Sequence, residues 1–122
     1  MLNFGPFKSL STKEFQLKRE EGFVVIDVRR AEEWEFYGVI EGSHTITFFD
    51  EVGAYDLDAF LEAFTKVVTT KEQPFILVCA HAQRTKHIGE LMGLKLGYKN
   101  VYELDGGINW GWIDKDLPTV KP

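Results

Sequence analysis

The sequence has little of several features that define whole classes of protein. It contains one cysteine, Cys79, which excludes a framework of internal disulfides. No apolar run reaches the roughly 18 residues of a membrane span, and the N-terminal residues lack the pattern of a signal peptide. Basic residues number 14 against 19 acidic ones, a balance that disfavours nonspecific binding to nucleic acid or anionic membranes. We therefore expect a cytoplasmic protein without nucleic-acid or membrane partners.

The residues that are present suit a single domain spanning residues 1–122. Hydrophobic residues make up 44% of the chain and charged residues 27%, as in ordinary globular proteins. A chain of this length buries about two-thirds of its unfolded surface, so it needs neither a disulfide nor a structural metal.

Strand and helix patterns alternate along the chain. Apolar runs predict strands at residues 23–26, 43–48, 74–79 and 101–104. Helical spacing and start signals predict helices at residues 12–21, 30–36, 57–68 and 84–96, with a short one after Gly107. This alternation predicts an α/β fold with a parallel sheet. In such sheets, ligands bind at the carboxyl ends of the strands.

The most informative segment is the loop that joins Cys79 to Arg84. A buried strand ends at Cys79, and a helix opens at Arg84, so the intervening N–H groups can form an anion cradle. Such a cradle would favour the thiolate of Cys79, and Arg84 would add a cation able to clamp an oxyanion. Both residues are candidate catalytic residues. The candidate substrate-binding residues are the rest of the segment: Ala80, His81, Ala82, Gln83 and Thr85.

Two other interpretations of Cys79 are open at this point. A lone cysteine at a strand end is most often a small buried hydrophobe. Cys79, His81 and His87 could also be metal ligands, but zinc sites typically need more ligands at suitable spacing. We therefore expect no metal and no cofactor.

Four segments together resemble the rhodanese-like domain family over nearly the whole chain. They are Val25–Arg29 with Glu32-Glu33-Trp34, Gly38–Thr47, the Cys79–Thr85 loop and Leu96–Ile108. Each segment is weak evidence alone, but the four occur in the family's order and spacing. The resemblance implies a central, mostly parallel five-stranded sheet flanked by helices. It also implies that Asp27 and Arg29 make supporting ion pairs near the active loop.

The resemblance implies sulfurtransferase chemistry. Cys79 would take the outer sulfur of a small anionic donor such as thiosulfate, become a persulfide, and pass that sulfur on. The acceptor would be cyanide, a small thiol or a cysteine of a partner protein, because the chain has no second cysteine. Exchange of this kind needs an accessible sulfur, so we expect the persulfide at the mouth of a shallow pocket. Arg84 would stabilise charge and hold the loop through carboxylate contacts.

Two other functions remain open within the same family. Four residues separate Cys79 from Arg84, as in the sulfurtransferases, whereas rhodanese-fold phosphatases have five. A phosphatase or arsenate reductase is therefore secondary, and a non-catalytic binding module would be expected to lack the cysteine. Segment 79–99 holds four basic residues and one acidic residue, which predicts a locally positive side that would steer anions.

The loop departs from the family pattern at two positions. Ala82 stands where glycine is usual, and alanine disfavours a positive φ. His81 stands where small or basic residues are usual. It could bind an anionic donor when protonated, although a solvent-facing loop position is the plainer expectation.

Overall fold

The computed structural model describes residues 7–122. Its strands, in chain order, are β1 Phe7–Leu10, β2 Val24–Asp27, β3 His44–Thr45, β4 Phe75–Val78 and β5 Val101–Leu104. They form one sheet in the order β1-β5-β4-β2-β3, and every neighbouring pair is parallel. The expected α/β class and five-stranded sheet are confirmed.

Five helices flank this sheet. They are α1 Thr12–Glu20, α2 Ala31–Tyr37, α3 Leu57–Phe64, α4 Arg84–Glu90 and α5 Gly107–Gly111. The predicted start of α1 is confirmed by a capping box, in which Ser11 Oγ accepts from the Glu14 N–H and Glu14 accepts from the Ser11 N–H. No helix among residues 7–122 is long and apolar enough to cross a bilayer.

The central strand β4 is buried on both faces of the sheet, which explains its unbroken apolar sequence. Ile76 and Val78 pack with Phe15 of α1 and Ile108 of α5. The alternate residues of β4 belong to the opposite cluster, together with side chains of α3 and α4: Phe75, Leu77, Cys79, Phe60, Phe64, Ile88 and Met92. Cys79 therefore emerges at the middle of the carboxyl edge, on the side of the sheet covered by α3 and α4.

The edge strand β1 was not identified from the sequence. Only Leu10 of its four residues is buried, so the segment lacks the apolar run that marks the inner strands. The Phe7 ring lies against Gly89 of α4, where an added Cβ would overlap it. Glycine at position 89 therefore permits the close packing of α4 against Phe7 of β1.

Three predicted elements are shorter than expected. The strand predicted over residues 43–48 is reduced to β3. After β3, the N–H groups of Ile46 and Phe48 still donate to carbonyls at the end of β2 and just beyond it, but without regular strand pairing. The helix predicted to Val68 ends at Phe64, where Thr65 caps the last turn. The helix predicted to Leu96 is α-helical only to Glu90, and a wider π-helical turn, Leu91–Lys95, follows.

Candidate functional site

The candidate site lies at the carboxyl end of β4, where the chain turns through residues 80–83 into α4. The carbonyls of Cys79 and Ala80 accept the N–H groups of Ile108 and Asn109, at 2.8 and 3.0 Å. Gly107 begins α5 with φ +65°, and an added Cβ would overlap the Ala80 carbonyl. The Gly-Gly turn before α5 is therefore required for α5 to approach the loop this closely.

These bonds also orient the peptide planes of the loop. In a trans peptide, the C=O of one residue and the N–H of the next point in opposite directions. Because the carbonyls of Cys79 and Ala80 point at α5, the N–H groups of Ala80 and His81 point away from it. Within residues 7–122, the N–H groups of residues 80–83 donate to no protein acceptor.

Cys79 itself is completely buried, with 0% of its surface exposed. The thiol is therefore inaccessible and lies in the same apolar cluster as Val28 and Ile88. The expected place of a persulfide, at the mouth of a shallow pocket, stays a prediction. Its one side-chain hydrogen-bond partner among the described residues is Thr85, whose Oγ1 lies 3.7 Å from the sulfur. In this conformation no reactant reaches the sulfur, so an attack by Cys79 on a donor requires the surrounding side chains or the loop to move.

Ala82 adopts the left-handed conformation that is expected at a position where the family usually has glycine. Its φ is +62°, a region that costs a non-glycine residue about 1–2 kcal/mol. The residue is buried, and its carbonyl accepts from Lys86 Nζ at 3.1 Å. The neighbouring Gln83 is exposed.

His81 is not the freely solvated side chain that was expected. Its ring packs on the half-exposed Trp110 of α5, with ring centroids 4.5 Å apart. The two rings together form an aromatic surface beside the loop.

Arg84 makes its bidentate contact with a carboxylate of the protein rather than with a substrate oxyanion. Its Nη1 and Nη2 donate to Glu33 Oε1 and Oε2, each at 2.7 Å. The bond to Glu33 raises the pKa of Arg84 against the effect of burial. Burial would raise the pKa of Glu33, but bonds from Arg84 and from the Arg30 N–H outweigh it, so the pKa lies below its usual range.

Glu33 was not identified from the sequence as a partner of the loop. An acidic residue at a helix start is explained by the helix dipole alone, and Glu33 Oε1 does accept the N–H of Arg30 at the start of α2. The contact with Arg84 joins residues 51 positions apart, and nothing in the local sequence marks it.

Asp27 and Arg29 form an ion pair at the end of β2, as the resemblance implied. Arg29 Nη2 lies 2.8 Å from Asp27 Oδ2, and both side chains are almost wholly buried. Arg29 also donates to the Gly38 carbonyl, and Trp34 Nε1 donates to Asp27 Oδ1. The pair ties the end of β2 to the middle and the C-terminal end of α2, the helix that supplies Glu33.

Thr85 does not turn its hydroxyl proton toward the loop. It is buried, and its hydroxyl donates to Glu103 Oε1 at 2.6 Å. Glu103 was not identified from the sequence. A signal was present, because Glu103 is a carboxylate within an otherwise apolar strand next to the strand that ends at Cys79.

The locally positive side predicted for segment 79–99 is largely neutralised. Three of its four basic residues are paired with acidic residues from elsewhere in the chain: Arg84 with Glu33, Lys86 with Glu103 and Lys99 with Glu72. In the described part of the chain, no group of three or more His, Cys, Asp or Glu residues is arranged to hold a metal ion.

The protein is an α/β domain with a cysteine-containing loop at the carboxyl edge of its central strand. Comparison with known proteins identifies its family. The profile of the Rhodanese-like domain family matches residues 11–114, and the chain belongs to that family. Thiosulfate sulfurtransferase GlpE of Pseudomonas fluorescens strain Pf-5 is 27% identical over 103 residues, which cover 83% of this chain and 81% of that protein.

Solved structures with the same fold include proteins described in different functional terms. The polysulfide-sulfur transferase homodimer of Wolinella succinogenes has a TM-score of 0.69 at 21% identity, covering 96% of this chain and 80% of that chain. A possible tyrosine phosphatase of Rhodopseudomonas palustris has a TM-score of 0.66 at 24% identity, covering 93% and 85%. At these identities the likeness shows the fold alone.

Proposed function

We propose that this protein is a sulfurtransferase that carries sulfur as a persulfide on Cys79. The observation that carries the proposal is the position of Cys79. It follows the central strand directly, before a loop whose first two N–H groups point away from α5. The curated relatives named as thiosulfate sulfurtransferases support the same chemistry.

The reaction has two steps. In the first, the Cys79 thiolate attacks the outer sulfur of thiosulfate; a bond forms between the two sulfurs, and sulfite leaves with the electron pair of the broken S–S bond. In the second, an acceptor such as cyanide or a thiolate attacks the outer sulfur, and Cys79 leaves as the thiolate. The nucleophile and the leaving group are the same sulfur, so no cofactor is needed.

The loop residues have distinct roles in this proposal. The N–H groups of Ala80, His81, Ala82 and Gln83 form the cradle for the anionic donor and for the persulfide. Arg84 acts by fixing the loop to Glu33. Asp27 and Arg29 hold the end of β2 against α2, the helix that carries Glu33.

The site also bears on the phosphatase alternative. Both Nη atoms of Arg84 already donate to Glu33, so the paired face of the guanidinium is occupied. A phosphoryl group would have to displace Glu33 to be held bidentately. The arrangement therefore favours sulfur transfer over phosphoryl transfer.

Intact-protein mass spectrometry after incubation with thiosulfate tests the proposal. We expect the wild-type chain to gain the mass of one sulfur atom, and Cys79→Ser, the matched control, to gain none. Equal gain in both proteins would contradict the proposal. So would hydrolysis of an aryl phosphate that depends on Cys79 in a protein that thiosulfate does not modify.

The kinetics give a second test. Because the chain contains no other cysteine, the persulfide has no internal thiol to discharge it, and an outside acceptor must do so. We expect the sulfurated protein to accumulate until cyanide or a thiol is added, and double-reciprocal plots to give parallel lines. Intersecting lines would argue against a covalent intermediate.

A further inference from the structure

Buried hydrogen bonds link the side chains of Cys79, Thr85 and Glu103. The sulfur lies 3.7 Å from Thr85 Oγ1, and Thr85 Oγ1 lies 2.6 Å from Glu103 Oε1. None of the three residues is more than 1% exposed. Water therefore does not compete for these contacts, and each hydrogen bond has few alternatives.

The number of available protons determines which group donates and which accepts in these hydrogen bonds. A carboxylate only accepts hydrogen bonds, and a threonine hydroxyl has a single proton. Since Thr85 donates that proton to Glu103, its oxygen can only accept from Cys79. This arrangement suits a thiol, which has a proton to donate, and leaves a thiolate without a donor from Thr85.

The other oxygen of Glu103 is held by two further donors. Lys86 Nζ lies 2.7 Å from Oε2, and Ser9 Oγ lies 2.8 Å from it. Glu103 therefore forms a salt bridge with the Lys86 ammonium and accepts from both Ser9 and Thr85, so both of its oxygens are occupied. Lys86 is half-exposed, and it lines, with Ser9 and Glu103, a cavity of about 390 Å³.

Other ionisable groups lie on the elements that adjoin Cys79, and several have partners of their own. They are Asp27 on β2, Asp58 and Glu62 on α3, His81 in the loop, Arg84, Lys86, His87 and Glu90 on α4, Tyr102 and Glu103 on β5, and Asp105 directly after β5. Asp27 is paired with Arg29, and Arg84 with Glu33. Among the described residues, Glu103 is the one that a hydroxyl joins to the sulfur.

We propose that Glu103 is a positioning residue, which competes with the sulfur of Cys79 for the Thr85 hydroxyl and so holds Cys79 as the thiol. This inference rests on the proposed function for its meaning in sulfur transfer. Thiolate formation sends the thiol proton to solvent and requires Thr85 to turn its hydroxyl from Glu103 to the sulfur. Ser9 and Lys86 then keep the Glu103 carboxylate paired. Lys86 opposes the effect of Glu103, because its positive charge offsets the negative one.

The test is a titration of the Cys79 thiolate by its ultraviolet absorbance, with each variant compared against its own Cys79→Ser counterpart. This measurement needs no access to the buried sulfur and no sulfur transfer. In Glu103→Gln we expect the midpoint to fall by about 1 pH unit. In Lys86→Met we expect it to rise, and in Lys99→Met, an exposed lysine beyond the network, we expect no change.

The opposite signs make the proposal easy to overturn. A midpoint that does not move in Glu103→Gln, or that rises, would exclude the competition for Thr85. Should Glu103→Gln fail to fold, Lys86→Met replaces a half-exposed residue, and the absence of a rise in its midpoint would overturn the proposal.

The role of Thr85 is tested by combining variants. In a Thr85→Val background, we expect Glu103→Gln to shift the midpoint by less than half as much as in the wild type. An undiminished shift would show that the charge acts through space and would overturn the hydroxyl route. A protein that shows these shifts but is not modified by thiosulfate would contradict the proposed function while leaving the inference on Glu103 intact.

Discussion

Two arginine–carboxylate pairs lie at the same edge of the sheet, and they differ in burial and in sequence separation. Asp27 and Arg29 are two residues apart and almost fully buried. Arg84 and Glu33 are 51 residues apart, with 24% and 16% of their side chains exposed. The first pair is enclosed by the fold, whereas the second joins two segments that could move relative to each other.

The difference in burial changes what each pair can contribute. A fully buried pair loses both hydration shells, so it adds little net stability, but removing one partner leaves an unpaired charge. Arg29 Nη1, moreover, has no hydrogen-bond partner within the described residues. A partly exposed bidentate pair keeps some hydration and is less costly to break. We infer that the first pair maintains the fold and the second holds the loop.

The largest effect is expected at the buried pair. Arg29→Met should lower the free energy of unfolding by about 3–5 kcal/mol, because it leaves the Asp27 carboxylate buried without its cation. Urea denaturation measures this. Lys18→Met, which breaks an exposed pair with Glu21, should change stability by less than about 1 kcal/mol. Similar losses in both variants would contradict the distinction by burial.

A smaller effect is expected at the loop pair. Arg84→Met and Glu33→Gln should each cost about 1–2 kcal/mol, and the double variant should cost little more than either, since both remove one interaction. Each should also slow formation of the persulfide, because the loop loses its anchor on α2. Additive losses, or a variant that transfers sulfur at the full rate, would show that the contact does not hold the loop.

The contrast between the pairs also explains how much the sequence could reveal. Asp27 and Arg29 lie beside each other at the end of an apolar run, so local pattern and resemblance both point to them. Glu33 meets Arg84 only after the sheet brings β2 beside β4, and Glu103 meets Thr85 only after β5 adds to β4. Local periodicity contains no information on such long-range contacts. The edge strands were poorly predicted for a related reason, since they are buried less than the inner strands.

The free energy of unfolding at acidic pH should reveal the contribution of the pair between Arg84 and Glu33. Glu33 has a pKa below its ordinary value of 4.5. Its contribution to stability is therefore complete above that value and is lost as the pH falls through the lower folded pKa. The stability difference between wild type and Glu33→Gln should be constant from neutral pH to about pH 5 and should shrink below pH 4.5. A difference independent of pH down to full protonation would mean that the charge of Glu33 is irrelevant.

The smallest effect concerns the loop that the second pair anchors. Ala82 has a φ of +62°, which glycine adopts without steric cost, so Ala82→Gly should raise the free energy of unfolding by about 0.5–1 kcal/mol. Ala80 is the matched control, because its φ is not positive and glycine there only increases the entropy of the unfolded chain. Ala80→Gly should therefore lower stability by about 0.5–1 kcal/mol. Opposite signs in thermal or urea unfolding would show that the backbone conformation at Ala82, rather than loop flexibility in general, carries the strain, and equal signs would refute it.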